Sequence, residues 1–475
     1  MRTGALAALV LLAAAPVFGQ PPAPPQEKSA FAEAWSKEAE QIKESCSSGG
    51  LKVIGTCAAT LATAQPLHIA FGNLAPQSGF GVGLALVGHK NFERAPLRLY
   101  ASADAVVTPG GSWRAGAYFN VDRVRNADPG SIVVGRGAAA AAANATGAEV
   151  LEDFVPTVYS AYVQSTSLDR LLFFGLGPDS QESGETRWGL TETIVGVRIV
   201  KPVPTRSWGL SLVGGVNGRF ARVRGSHSDA EPSIEEVYTE ATAPGLRAGT
   251  TSFAQITGAM RLEPSWFGRH VYPFYSLSVD QFVTGSSANG GFTRGSLELT
   301  HEFPFGKRRR FTNEAIGPNS CSPDGPCPPV SNDRDGGVVI RFVTSASWPF
   351  EGDAVPFYFQ STLGGGNING EPMLAGFKDY RFRGPNVIAL QERFDHSLFW
   401  GPLGIMLMAE QGTVALRPGD LGLSGLKHSF TAGLTLRAGG FPEVFLLFGW
   451  SREGHHVTFA ANPSLLGGSP RPSLY

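Results

Sequence analysis

From Leu67 onward, apolar and polar side chains alternate in runs of about ten residues separated by turn-forming residues. "SGFGVGLALVGHK", "APLRLYASADAVV" and "GSWRAGAYFNVDR" begin the series. It continues at 154–163, 187–200, 208–223, 251–262, 271–283, 291–303, 338–348, 355–363, 387–399, 403–414, 428–437, 443–450 and 455–465. That predicts about sixteen strands. In "GSLELTHEF", Leu297, Leu299, His301 and Phe303 share one face, and Ser296, Glu298, Thr300 and Glu302 the other. In "VVIRFVTSASW", Val338, Ile340, Phe342, Ala346 and Trp348 oppose Arg341, Ser345 and Ser347.

An even number of such segments, apolar outward and polar inward, is the sequence form of a transmembrane β-barrel. Hydrocarbon tolerates no open sheet edge, so the sheet must close. A secreted sandwich or propeller also alternates, but its strands run about five to six residues. The aromatic pairs Tyr272/Phe274, Phe357/Phe359, Phe399/Trp400 and Phe448/Trp450 stand at strand ends, as in interfacial girdles. Connections are uneven, with long ones at 122–153, 225–250, 304–337 and 364–386. This strand list puts three of them at one end and 225–250 at the other, which points to a misplaced strand near "LDRLLFFGLGPDS" or an unusually long turn.

The first 66 residues have a different texture. Residues 1–19 combine Arg2, an apolar run from Ala5 to Pro16 and small residues before a cut after Gly19, which reads as a secretory signal; the run is short for a membrane anchor. Residues 20–66 hold the spacer "PPAPPQ" and "SAFAEAWSKEAEQIKES", where Phe31, Trp35, Ala39 and Ile42 share a helical face. That short amphipathic helix packs on the protein or lies on a membrane surface. The barrel is expected over 67–475. Export sets an oxidising compartment, so two close cysteine pairs are candidate disulfides: Cys46 with Cys57, and Cys321 with Cys327, which flank the turn "SPDGP". No histidine stands near either pair at zinc spacing.

Charge excludes one partner class. With 17% charged residues and a formal net charge of -1, the chain offers no electrostatic footprint for nucleic acid. Nucleophile elbow, P-loop and HExxH motifs are absent. His455 and His456 are adjacent and face opposite sides of a strand, and Glu235 and Glu236 would likewise oppose each other if extended. The run Lys307–Arg310 is a solvated loop or a contact for lipopolysaccharide phosphate. No enzyme, cofactor or metal site is expected.

"LAGFKDYRFRGPN", "LQERFD" and "LMAEQGTV" carry a resemblance. In this order they are similar to the outer-membrane surface-antigen superfamily of BamA- and TamA-type assembly barrels, over about 67–465. "FFGLGPDSQESGETRWGL" resembles another recurrent segment of that family. The resemblance implies a sixteen-stranded barrel whose sixth extracellular loop folds into the lumen. Its tip carries Arg-Gly-aromatic, and the arginine pairs with carboxylates on the next two strands.

Here Gly376 and Phe377 occupy the Gly-aromatic positions, but Ala375 stands where the family has arginine. Gln391 replaces the first wall glutamate, with Arg393 following, and Glu410 holds the second acidic position. The expectation is that Arg381 or Arg383 replaces the missing cation and meets Glu410. The segment 20–65 is too short for one of the family's periplasmic (POTRA) repeat domains, so a barrel-only member is expected. The functional expectation is insertion or translocation of protein or lipid at the bacterial outer membrane. The partners would be outer-membrane lipid, lipopolysaccharide and client proteins. The alternative is a passive porin-like channel or structural surface antigen.

Overall fold

The computed structural model describes Glu40, Lys43, most of residues 67–461, and 472–474. Within 67–461 it does not describe 93–96, 124–156, 206, 227–230, 248, 268–269, 285–290, 306–308, 312–330, 334–335, 351–353, 399–402, 424 and 439–440. The signal, the spacer, Phe399 and Trp400 lie outside the described residues. So do the candidate disulfide residues Cys46, Cys57, Cys321 and Cys327, and with them both expected bridges. The predicted N-terminal helix is not supported, because only Glu40 and Lys43 of that segment are described.

The strands are β1 (Leu67–Asn73), β2 (Phe80–Phe92), β3 (Leu97–Val107), β4 (Trp113–Arg123), β5 (Val158–Phe173), β6 (Thr186–Pro202) and β7 (Leu210–Gly225). After the helical turn α1 (Ile234–Val237) come β8 (Thr250–Leu262), β9 (Tyr272–Thr284), β10 (Phe292–Phe305), β11 (Arg309–Phe311), β12 (Ser331–Asp333) and β13 (Gly336–Pro349). The rest are β14 (Ser361–Leu363), β15 (Phe382–Gly384), β16 (Asn386–Ser397), β17 (Leu403–Ala415), β18 (Lys427–Ala438), β19 (Phe441–Ser451) and β20 (Gly454–Ala461). Sixteen of them form one antiparallel sheet in chain order, β1 to β10, then β13, then β16 to β20; β11–β12 and β14–β15 are separate two-stranded ribbons. Glu235 and Glu236 sit on α1, not on extended chain.

The sheet is inside out, as the alternation predicts. Val82, Leu84, Leu86, Leu277, Val279, Leu434 and Leu436 are exposed on its outer face. The buried face is polar and ties neighbouring strands together. Arg114 Nε meets Asp104 Oδ1 at 3.2 Å, Tyr118 donates to Gln164 at 2.8 Å, and Arg219 meets Glu192 at 2.8 Å. An apolar outer face and a hydrogen-bonded polar inner face are what a membrane-spanning barrel requires. No helix among the described residues is long and apolar enough to cross a membrane.

The two sheet edges, β1 and β20, form no backbone ladder among the described residues. Among those residues β1 reaches β20 through Asn73 Nδ2, which donates to the Phe459 carbonyl at 2.6 Å, and the ring of Phe80, at the start of β2, lies 6.0 Å from that of Phe459. The barrel is therefore nearly closed, with one weakly joined seam between strands of only seven and eight residues.

The strand list needs two corrections that leave the total at sixteen. Leu67–Asn73 is a strand of its own, paired with β2 from Leu67↔Leu86 to Asn73↔Phe80. Segment 355–363 is not a wall strand. Phe357, Tyr358 and Phe359 form one helical turn and are all buried, whereas a wall strand would alternate. Removing that strand moves 364–386 to the same end as 225–250. "LDRLLFFGLGPDS" is not the misplaced element: β5 runs through it to Phe173, with a register shift between Leu168 and Leu171. Phe357 and Phe359 accordingly leave the girdle, while Phe448 and Trp450 remain exposed on the outer face.

Candidate functional site: the inward loop

The connection from β13 to β16 turns into the barrel and fills it. Its two arms pair as β14 and β15, Ser361↔Gly384 through Leu363↔Phe382. Two glycines make the fold possible. Gly364 has φ +111° and Gly365 φ +56°, and a Cβ on Gly365 would lie 2.0 Å from Asp379 Oδ1. Asp379 accepts from the Gly366 N–H at 2.9 Å and from Gln77 Nε2 at 2.6 Å, which ties the loop to the β1–β2 turn.

At the tip, Ala375 and Gly376 press against the wall. A Cβ on Gly376 would lie 2.4 Å from the Trp450 carbonyl oxygen, and one on Gly449 would lie 2.6 Å from the Ala375 oxygen. Two facing glycines let backbone meet backbone. The Ala375 side chain packs with Met406, Met408 and Leu447, and Phe377 packs edge-on against Phe382 at 5.2 Å.

Glu410 is held without a cation. Its Oε2 accepts from the Ala375 N–H at 2.7 Å and the Ser429 hydroxyl at 2.9 Å, and its Oε1 from Gln391 Nε2 at 2.7 Å. The expected latch from Arg381 or Arg383 to Glu410 is therefore corrected. The backbone amide of Ala375 takes the place of an arginine side chain, and Gln391 serves as a donor where a second carboxylate would repel Glu410. Arg393 also faces inward, among Asp395, Glu302 and Arg341.

Both loop arginines are buried, with other partners. Arg381 forms a two-pronged ion pair with Glu453, at 2.8 and 3.1 Å, and donates to the Ser180 hydroxyl at 2.9 Å and carbonyl at 2.7 Å. Its guanidinium lies 5.2 Å from the Phe174 ring centre and 4.7 Å from that of Phe382. Arg383 donates to the Phe357 carbonyl at 2.8 Å and lies 5.6 Å from the Trp188 ring. The Gly177 N–H donates to the Arg383 carbonyl at 2.7 Å. The segment "FFGLGPDS" thus docks on the loop, and the quoted motifs converge in space.

Lys378 sits between Glu185, at 2.7 Å, and Glu182, at 2.9 Å. Partial burial opposes its charge, but hydrogen bonds to both carboxylates outweigh that and hold its pKa above the usual lysine value. Burial pushes the Tyr358 phenol up to about 12.

Two wall arginines absent from the sequence-based site complete the arrangement. Arg219 reaches Gln255 at 2.7 Å and lies 5.7 Å from the Phe359 ring. Arg294 donates to the Phe359 carbonyl and, at 3.1 Å, to Ser347. Their signal is phase: each occupies the polar face of its strand. Of the run Lys307–Arg310, Lys307 and Arg308 lie outside the described residues, and Arg309 and Arg310 stand on β11, opposite Asp333 and Asn332, rather than in a loop. His455 is exposed, whereas His456 points inward, 3.7 Å from Asp379.

No family model matches the chain, and no curated protein matches it in sequence. Among solved structures it is similar to BamA from Haemophilus ducreyi lacking POTRA domains 1–3. The TM-score is 0.45 and the identity 10%, covering 83% of this chain and 69% of that one. It is also similar to CdiB from Escherichia coli, with a TM-score of 0.43 and 12% identity, covering 84% of this chain and 61% of that one. OccK10 of Pseudomonas aeruginosa matches with a TM-score of 0.27 and 9% identity, covering 83% of this chain and 92% of that one.

Proposed function

We propose that this chain is a non-enzymatic outer-membrane barrel that inserts or translocates protein or lipid by parting its β1/β20 seam. The observation that carries the reading is the seam itself. Among the described residues every other neighbouring pair of wall strands is joined by a continuous or once-shifted ladder, whereas β1 and β20 share the Asn73–Phe459 hydrogen bond, with Phe80 of β2 packed beside it. Opening there exposes two strand edges to the bilayer, where unpaired backbone groups strongly favour a new strand. The outer-membrane lipid and a client chain are then the partners.

The passive-channel alternative needs an open lumen. Phe357, Tyr358 and Phe359 occupy it, packed on Phe173, Trp188, Phe253 and Phe282. In planar bilayers small flickering conductance is expected, and a large steady pore would favour the channel.

The test is to join the seam. Asn73→Cys and Phe459→Cys are introduced with the four native cysteines changed to serine, and bridged by a short thiol crosslinker. Insertion of a nascent outer-membrane protein into proteoliposomes should fall on bridging and recover on release. Equal insertion by the bridged and released protein would sink the proposal.

A further inference from the structure

The lumen holds one more piece of this chain. Residues 472–474 lie inside the barrel, in contact with the inward loop and the wall. Asn369, at the loop's hairpin end beside Gly370 (φ +83°), reads the segment with both ends of its amide. Its Oδ1 accepts from the Leu474 N–H at 3.0 Å, and its Nδ2 donates to the Ser473 hydroxyl at 3.1 Å. Arg219 Nη2 donates to the Ser473 carbonyl at 2.5 Å. The Leu474 side chain is 6% exposed and belongs to the same apolar cluster as Ile368, Phe282 and Phe359.

These contacts have the form of a peptide site. One backbone N–H and one carbonyl are matched by side chains, and an apolar recess takes the residue that follows. Arg219 is the buried wall cation of the site. Its Nη1 is committed to Glu192 and its Nε to Gln255, so the Ser473 carbonyl satisfies a further donor of a guanidinium that is 1% exposed. A buried donor stripped of its acceptor is costly, so the emptied site would favour another carbonyl in that position.

We infer that the lumen carries a binding site for an extended peptide with an apolar side chain, occupied in cis by Ser473 and Leu474. The occupancy is exchangeable. A tethered segment competes at an effective concentration on the order of millimolar, so a second peptide enters only when it binds more tightly or when the segment is withdrawn. The inference does not depend on whether β1 and β20 part.

The experiment compares the full chain with a form ending at Gly468. A fluorescent peptide of residues 467–475 is titrated against each in detergent, by anisotropy, after heat-modifiable migration has shown both barrels folded. The shortened chain should bind the peptide at least about tenfold more tightly than the full chain. A peptide carrying Leu474→Asp should bind neither. If the shortened barrel fails to fold, Asn369→Ala in the full chain serves instead: it should speed chymotryptic cleavage after Leu474, read by intact mass, without loosening the loop to trypsin at Lys378. Equal peptide affinity for both chains, or cleavage unchanged by Asn369→Ala, overturns the inference.

Discussion

The backbone N–H of Ala375 stands 2.7 Å from Oε2 of Glu410, so a main-chain donor fills the place that the family resemblance gives to a side-chain cation. A carboxylate 1% exposed is thereby satisfied by three neutral donors. Glu410→Ala strands the amide of Ala375, the amide of Gln391 and the hydroxyl of Ser429, at about 1–3 kcal/mol for each buried donor left unpaired. The expected result is faster proteolysis of the loop, with barrel migration on gels unchanged. Glu410→Gln should cost less, because it keeps an acceptor.

Arg381 belongs to Glu453. Arg381→Glu and Glu453→Arg should each loosen the loop, and together they should restore much of its protease resistance. Pairing Arg381→Glu with Glu410→Arg should give no recovery, because Glu410 makes no contact with that arginine. A double-mutant cycle on cleavage rates reads both.

Backbone contact at the tip depends on Gly449. Gly449→Val puts a Cβ 2.6 Å from the Ala375 oxygen and adds two methyl groups. Overpacking typically costs about 1–3 kcal/mol, and here the loop tip is the element free to move. The loop should become cleavable at Lys378 and single-channel conductance should rise, while the heat-modified gel shift persists.

Loop docking should weaken in strong alkali. The pKa of Lys378 is raised in the folded state, so its stabilising contribution is fully present below the ordinary lysine value of 10.5. It is lost as pH climbs from there through the folded value. Tyr358, raised to about 12, acts in the same direction, because the unfolded chain releases the phenolic proton first. Protease resistance of the loop should hold to about pH 10 and then decline. Lys378→Met should lower it at neutral pH and flatten the first part of that decline.

The sequence by itself determined the wall. Alternation has a period of two because of strand geometry, a property of each residue and its neighbours, so the apolar outer face and the polar inner face could be read in segments such as 296–303 and 338–348. The family resemblance, not the alternation, singled out Ala375–Phe377, Gln391 and Glu410. The tertiary structure decided what fills the lumen. Segment 355–363 has a strand's composition, but its three consecutive aromatic side chains are all buried, which requires a surrounding wall. The partner of Arg381 lies 72 residues away, and Ser180 lies 201 away. Such pairings follow from closure of the sheet, which brings distant strand ends together, and no local pattern encodes which carboxylate then stands nearest. Arg219 looked like any inward-facing strand residue until the folded loop and residues 472–474 were placed against it.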